Sequence, residues 1–597
     1  MLIPLHSDWP AQVTGVTSPR GPRTAAGPEP GPGRAARDVP VAGGGVVGVP
    51  TAHRAARAGA GRTGWLGTAR AQAGARHPNG SDVRTYCEGG PPVTGRLEKS
   101  PDEVVRRLII EPGLERDLAH HFEYFLDVNT AHLVMLVEAG IVDAGTAAKI
   151  QAATDEMRQA GPRALRIDPA LEDLYFNIEA NLMARVGAET GGKLHTARSR
   201  NDMLATVARL RLRSELVEVC HQLLTLRRRL LALAAEHVET VITGYTHLQA
   251  AEPITVGHYL SAALHTLQRD HARLRACLAD VNSSPLGSGA LASTTFDIDR
   301  SVTAELLGFE TVMGNSLDGV ASRDYMADVL GALAILTNNL GRFAQDLYVW
   351  ASGEFNLVEV DSSIAVTSSI MPQKKNPVTL EHIKAKAAHL QACWISCLGA
   401  LKSSGYSHSR ESSVESLRFV WDGVAEGRVA VELFEHTVTS LTFNTELAGE
   451  RAAADFSSVT ELANELVRHH GLPFRTAHHI VGAVVADCLA SGRTARDIDP
   501  DVIAAASLRV LGHPIDVSPE LVARSLAPLN NVAGRTAEGG PAPREVHRQL
   551  SRLSHVLDED EAHLSSVVAA RRQAAESLRA RAAALAAGRV HDDRTRA

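Results

Sequence analysis

Residues Thr367-Ser368-Ser369-Ile370-Met371-Pro372-Gln373-Lys374-Lys375-Asn376-Pro377 bring hydroxyls, paired lysines, amides and two prolines into one short run. Such a run packs poorly and suits a mobile loop that closes over a reacting molecule. Read as an exposed basic turn, it would have no use for the unshielded Ile370-Met371 pair. A second polar segment runs from Gly191-Gly192-Lys193 through Arg198-Ser199-Arg200-Asn201-Asp202 into the longest apolar-periodic stretch of the chain. Free backbone N–H groups and the positive end of a helix favour a bound carboxylate there, and Arg198, Arg200 and Asn201 add donors suited to a dianion. Capping by Asn201-Asp202 accounts for only two of these residues. A third segment, Gly244-Tyr245-Thr246-His247-Leu248-Gln249, offers a hydroxyl and an imidazole side by side where a glycine interrupts two long helical runs. A lone histidine in a helical protein is usually structural; a Thr-His pair in such a break is better placed to face a cavity.

The elements that must position these segments read as helices. From Asn201-Asp202 the chain continues to Ile242 with leucines and valines three and four apart and no Gly or Pro before Gly244, the period of a helix. Further helices are expected over 255–281, 317–352, 378–401 and 414–437. Most carry apolar residues on more than one face, as in MADVLGALAILTNNL, which calls for a bundle larger than one subunit closes alone. The expected architecture is all-α. It has an N-terminal helical domain over 93–198, a central long-helix bundle with the polar loop over 199–446, a C-terminal helical domain over 447–585 and a flexible tail over 586–597.

Composition excludes several classes. The chain has 597 residues, 44% hydrophobic and 22% charged, with a formal charge of −7, which gives no global pull toward nucleic acid or an anionic membrane. No run of eighteen apolar residues is present, so no membrane span is expected. The six cysteines form no CxxC pair; Cys393 and Cys397, one helical turn apart, read as packing, and the setting as reduced and cytoplasmic. None of the 26 histidines sits in an HExxH or comparable frame, and neighbours such as His469-His470 point about 100° apart on a helix, so no metal site is expected. Residues 1–92 are rich in Gly, Ala, Pro and Arg and read as a disordered extension; a basic nucleic-acid-binding arm lacks the interleaved aromatics.

With these three segments in this order, the chain resembles the fumarase/aspartase superfamily, and KLHTARSRND, GYTHLQ and SSIMPQKKNP resemble the argininosuccinate lyase branch. Glu172-Asp173, Ile178-Glu179, Ser284–Leu291, Asn315–Asp318 and Leu472–His478 agree with it. The resemblance implies a three-domain helical homotetramer whose central domains share one bundle, each active site drawing its three motifs from three subunits. It implies release of fumarate from an N-substituted aspartate, by default argininosuccinate, without metal or organic cofactor. Ser368 is then the base that removes the Cβ proton. Lys374 and Asn376 hold the carboxylate on which charge accumulates, and His247, paired with Glu381, is the acid or proton relay. Ser199, Arg200, Asn201 and Thr246 bind the substrate carboxylates. The chain departs from the family at Ala197, Met203 and Thr367. Over 403–416 (SSGYSHSRESSVES) no register restores the Tyr, Gln and Lys that grip the arginine end. The start of the family pattern is reduced to Gly95-Arg96-Leu97, without a secure counterpart of the serine that helps bind arginine. The alternatives are a lyase of another N-substituted aspartate, of the ethylenediamine-disuccinate type, and an inactive crystallin-like relative. The retained set His247, Ser368, Lys374, Asn376 and Glu381 argues against the second.

Overall fold

In the computed structural model, residues 99–589 are described; the extension read over 1–92 and residues 590–597 lie outside them. Helix α1, Arg200–Glu236, is 37 residues of unbroken helix, a rod about 55 Å long. Its cap is Ser199, two residues before the expected Asn201-Asp202. The Ser199 hydroxyl accepts from Asn201 N–H and the Asp202 carboxylate accepts from Ser199 N–H at 3.0 Å, a capping box.

The helix expected to run to Ile242 stops at Glu236. Thr240-Val241-Ile242-Thr243 is β-branched throughout, a poor helix end and a good strand, and β1 (Val241–Thr246) pairs antiparallel with β2 (Gln249–Thr255). The break between the two helices is therefore a hairpin. Thr255 caps α2 (Val256–Val281), its side chain accepting from His258 N–H at 3.0 Å. The helix expected over 317–352 is two: Ser316–Ala321 and α3, Asp324–Trp350. Between them Ser322 is extended and its hydroxyl donates to Asp324 at 2.6 Å, a local bond that competes with the helix ladder. Helix α4 spans Val378–Lys402, and α5, Ser416–Thr439, is entered through a π-turn at Glu411–Glu415.

Three apolar clusters form. The largest joins α1 to α5 through residues such as Leu223, Leu267, Leu333, Leu390 and Val431. A second gathers Phe122–Glu138, Ala144–Ala160, Leu174–Val186 and the first turns of α1. A third holds Leu462, Ile480, Val484 and Ile503. The last helix, α6 (Pro543–Ala586), joins the first cluster with Val546 to Leu564 and the second with Leu578 and Leu585. It thus leaves the rest of the segment read as 447–585. Among the described residues no helix is long and apolar enough to cross a membrane.

A buried ion pair fastens α6. Arg227 of α1 donates to Asp560 at 2.7 Å, and His271 Nδ1 lies 3.3 Å from the same carboxylate. Burial pushes the pKa of Asp560 up, but His271 and Arg227 outweigh it and hold it at about 2. A depressed carboxylate contributes stability above its unfolded pKa and loses it as pH falls, here between about 4 and about 2. Asp560→Ala leaves the Arg227 charge buried and unpaired, and is expected to cost about 3–5 kcal/mol. Denaturant unfolding at neutral pH checks this: a loss under 1 kcal/mol would mean that the pair is incidental.

Candidate active site

The two ends of α1 carry different parts of the candidate site. At its start, Asn201 Nδ2 donates to the Ala290 carbonyl at 3.1 Å. Buried Asp202 accepts from Gly287 N–H at 3.0 Å and Gly289 N–H at 2.9 Å, binding the Ser284–Leu291 loop to the helix end. Burial pushes the Asp202 pKa up to about 6, against these backbone donors and Arg198. Arg200 donates to Glu172 at 2.9 Å and Asp173 at 3.0 Å and lies over the Phe176 ring at 4.9 Å. Arg410 of the 403–416 segment approaches the same Asp173 at 3.9 Å, and Tyr406 donates to Asp318. Behind this end Tyr175 bonds both Glu179 and His195. Burial, then Arg198, takes the His195 pKa down to about 4, so the ring is neutral. Arg198 itself is buried.

At the other end of α1 stands the hairpin. His247 and Leu248 form its two-residue turn, with φ of 55° and 58°. Both lie in the left-handed region that such a turn requires and that Asn-Gly usually supplies. Thr246 and His247 are thereby held exposed at the tip. Thr243 donates to Asp455 at 2.5 Å, and the Tyr245 ring meets Phe355 at 5.6 Å, fixing the base. A Cβ on Gly244 would stand 2.7 Å from the Glu252 carbonyl of the facing strand. Gly244→Ala is therefore expected to cost about 1–3 kcal/mol and to displace His247, measured as a joint loss of thermal stability and turnover. Full turnover in a stable variant would show that the tip tolerates the shift.

The polar loop belongs to this second end. Val358–Val360 pairs with Leu441–Phe443, whose Phe443 ring packs at 4.9 Å on His237 just beyond α1. Lys375 Nζ donates to Glu359 at 2.8 Å. Val366-Thr367 pairs with Lys375-Asn376, so Ser368 to Lys374 make the tip of a second hairpin. There the Ser368 oxygen accepts from Ile370 N–H at 3.3 Å and Met371 N–H at 3.1 Å, donors that favour negative charge on that oxygen. Lys374 is exposed and Asn376 half-buried. Glu381, in the first turn of α4, accepts from Tyr348 OH at 3.3 Å.

Within one chain the structure thus brings Thr246, His247, Ser368, Lys374, Asn376 and Glu381 to one end of the bundle. Ser199, Arg200 and Asn201 stand at the other, the length of α1 away. Glu381 pairs with Tyr348, and among the described residues His247 makes no hydrogen bond or ion pair. Nothing in the sequence marks Asp202 as the tie to the 284–291 loop or pairs Tyr175 with His195. A lone acidic residue inside a polar motif carries no local sign of its partner.

Fold and motifs together define a lyase of the fumarase/aspartase superfamily. Residues 121–391 match the lyase family and residues 456–533 the argininosuccinate lyase C-terminal family. Argininosuccinate lyase 1 of Shouchella clausii is 48% identical over 496 residues, covering 83% of this chain and 100% of that protein. Argininosuccinate lyase of Methanothermobacter thermautotrophicus is 38% identical over 441 residues, 74% of this chain and 94% of that one. Among solved structures, EDDS lyase in complex with formate superimposes with a TM-score of 0.74 at 30% identity, covering 82% of this chain and 97% of that chain. The chain belongs to the argininosuccinate lyase family.

Proposed function

We propose that this enzyme cleaves argininosuccinate to arginine and fumarate, with each active site assembled from several copies of the chain in a homotetramer. The observation that carries the reaction is the 48% identity to an argininosuccinate lyase over that relative's whole length. In this reading the Ser368 oxygen, held by two backbone N–H donors, takes the Cβ proton. Lys374 and Asn376 stabilise the carboxylate as charge builds on it. The Cα–N bond then breaks, and His247, supported by Glu381, manages the proton of the departing nitrogen. Ser199, Arg200, Asn201 and Thr246 hold the aspartate-derived carboxylates. No metal or organic cofactor takes part in this scheme.

Assembly is supported by the distance between the two half-sites, which no small molecule spans. It is supported also by the outer face of α4, where Ala385, Ala388, Ala392, Ile395 and Gly399 are exposed on a bundle helix. Small and apolar residues on a solvent-facing helix suit close contact with another copy. A cytoplasmic setting fits the free cysteines Cys220, Cys277, Cys393, Cys397 and Cys488. The test follows the ultraviolet absorbance of fumarate after argininosuccinate is added to the purified protein, with light scattering on the same sample. Absence of fumarate, or turnover by a monomer, would defeat the reading.

A further inference from the structure

A cavity of about 350 Å³ lies along the middle of α1, between that helix, helix Phe122–Glu138 and α6. Leu210, Ser214 and Val217 share one face of α1 at helical spacing and form one wall. Ser214 stands fourteen residues beyond Arg200, about 21 Å along the rod, so the space is separate from the half-site at the start of α1. Leu306, Val568 and Leu578 make the facing wall largely apolar.

The polar part of the lining is unbalanced in charge. It sets Arg213, Arg571 and Arg572 against a single carboxylate, Asp127. Arg158, shared with Glu123, donates to Asp127 at 2.9 Å, and Arg579 also attracts it. Arg572 is exposed and bonds Glu576 at 3.0 Å. Arg213 and Arg571 form no ion pair among the described residues, yet they lie close together. A Cβ on Gly308 would stand 3.5 Å from the Arg571 Cα and 3.8 Å from Arg213 Nη2. Arg213 is buried and directs its terminal nitrogens at neutral acceptors: Asn282 Oδ1 at 2.7 Å and the carbonyls of Leu307 at 2.7 Å and Gly308 at 2.5 Å. Its Nε–H is buried with no acceptor. Burial, then Arg571, takes the Arg213 pKa down to about 9. Arg571 donates to Ser214 Oγ at 2.6 Å. Its other N–H groups have no partner among the described residues, nor has the hydroxyl of Tyr124, which acts on the Arg571 charge. Like charges buried without a counter-ion are costly, and a guanidinium fork with open donors matches a carboxylate.

We propose that this cavity is a binding site for a small organic acid, with its carboxylate on the Arg571 guanidinium and the Tyr124 hydroxyl and its hydrocarbon body on Leu210, Val217 and Val568. The carboxylate supplies the counter-charge that Arg213 and Arg571 lack, and the body buries apolar surface. A bare inorganic anion satisfies the arginines and leaves the apolar wall wet. An uncharged hydrocarbon covers the wall and leaves the arginines unpaired. The bound acid touches α1, helix Phe122–Glu138 and α6 at once, so it binds the folded chain alone and raises its thermal stability.

The experiment titrates the full-length protein with benzoate, inorganic phosphate and benzyl alcohol, by calorimetry and by thermal unfolding. Benzoate is expected to bind with a dissociation constant of about 1 mM or lower and to raise the unfolding temperature as its concentration rises. Phosphate, which lacks the body, and benzyl alcohol, which lacks the charge, are each expected to bind at least about tenfold more weakly. Two variants test the cavity itself. Arg571→Leu removes the carboxylate's partner and is expected to weaken benzoate by at least about tenfold. Ala575 lines the cavity, so Ala575→Trp fills the space and is expected to have an effect of the same order. Circular dichroism identifies whichever variant is folded, and either one suffices. Asn201→Ala, at the substrate end of α1, is expected to leave benzoate binding unchanged. No binding of benzoate, or binding that persists at full strength in a folded cavity variant, overturns the site. Loss of binding in Asn201→Ala and not in the cavity variants places benzoate at the substrate end and overturns it as well. Phosphate or benzyl alcohol bound as tightly as benzoate overturns the assignment to an organic acid.

Discussion

Ser368→Ala is expected to lower kcat by about 10²–10⁴-fold or more while circular dichroism and assembly stay unchanged, because one proton-transferring group supplies a factor of that order. The residue sits half-buried at a hairpin tip and contributes nothing to the apolar clusters, so the change removes an oxygen and little packing. Its hydroxyl organises the tip, with Ile370 and Met371 N–H both directed at it. Ser368→Cys separates the two roles: it restores an acceptor there with a different proton affinity and should recover part of the rate with a shifted pH profile. Wild-type turnover in the alanine variant would take the base away from Ser368.

The second large effect is recovery of activity by mixing two dead variants. Asn201→Ala strikes the half-site at the start of α1, and His247→Asn the half-site beyond its end. Asparagine is chosen at 247 because it tolerates the left-handed φ of 55° there. Each variant alone is expected to fall by about 10²-fold or more. If the half-sites of one active site come from different copies, random reassembly of equal amounts leaves about a quarter of the sites with both residues intact. The check is to dissociate the two proteins together, reassociate them and measure fumarate release. A mixture no more active than its components would place both half-sites in one chain and contradict the 55 Å rod of α1.

The parts of this molecule legible from sequence are those whose signal is local. The periodic runs of α2 and α4 end within a residue or two of where the pattern places them. The three polar segments stand out because they interrupt apolar repeats. Less legible is what depends on a distant partner. Val241-Ile242-Thr243 continues an apolar pattern that fits a helix, and only pairing with Ile254 and Thr255 makes it a strand. The apolar wall formed by Ile110, Leu114, Val207 and Leu417 draws on residues far apart in the chain, each ordinary by itself. The departure of residues 403–416 from the family pattern is visible in sequence. That Ser413 and Val414 meet this wall required the fold.

Helix α6 has a consequence for how the chain is made. Its Leu578 and Leu585 complete a cluster whose other members begin at Ile110, so the first core synthesised is closed by almost the last helix to leave the ribosome. Contacts of such long sequence separation form late. Throughout translation the surface around Leu126, Leu133 and Leu182 lacks its final cover, and the nascent chain depends on chaperones or on prompt release to keep that surface from self-association.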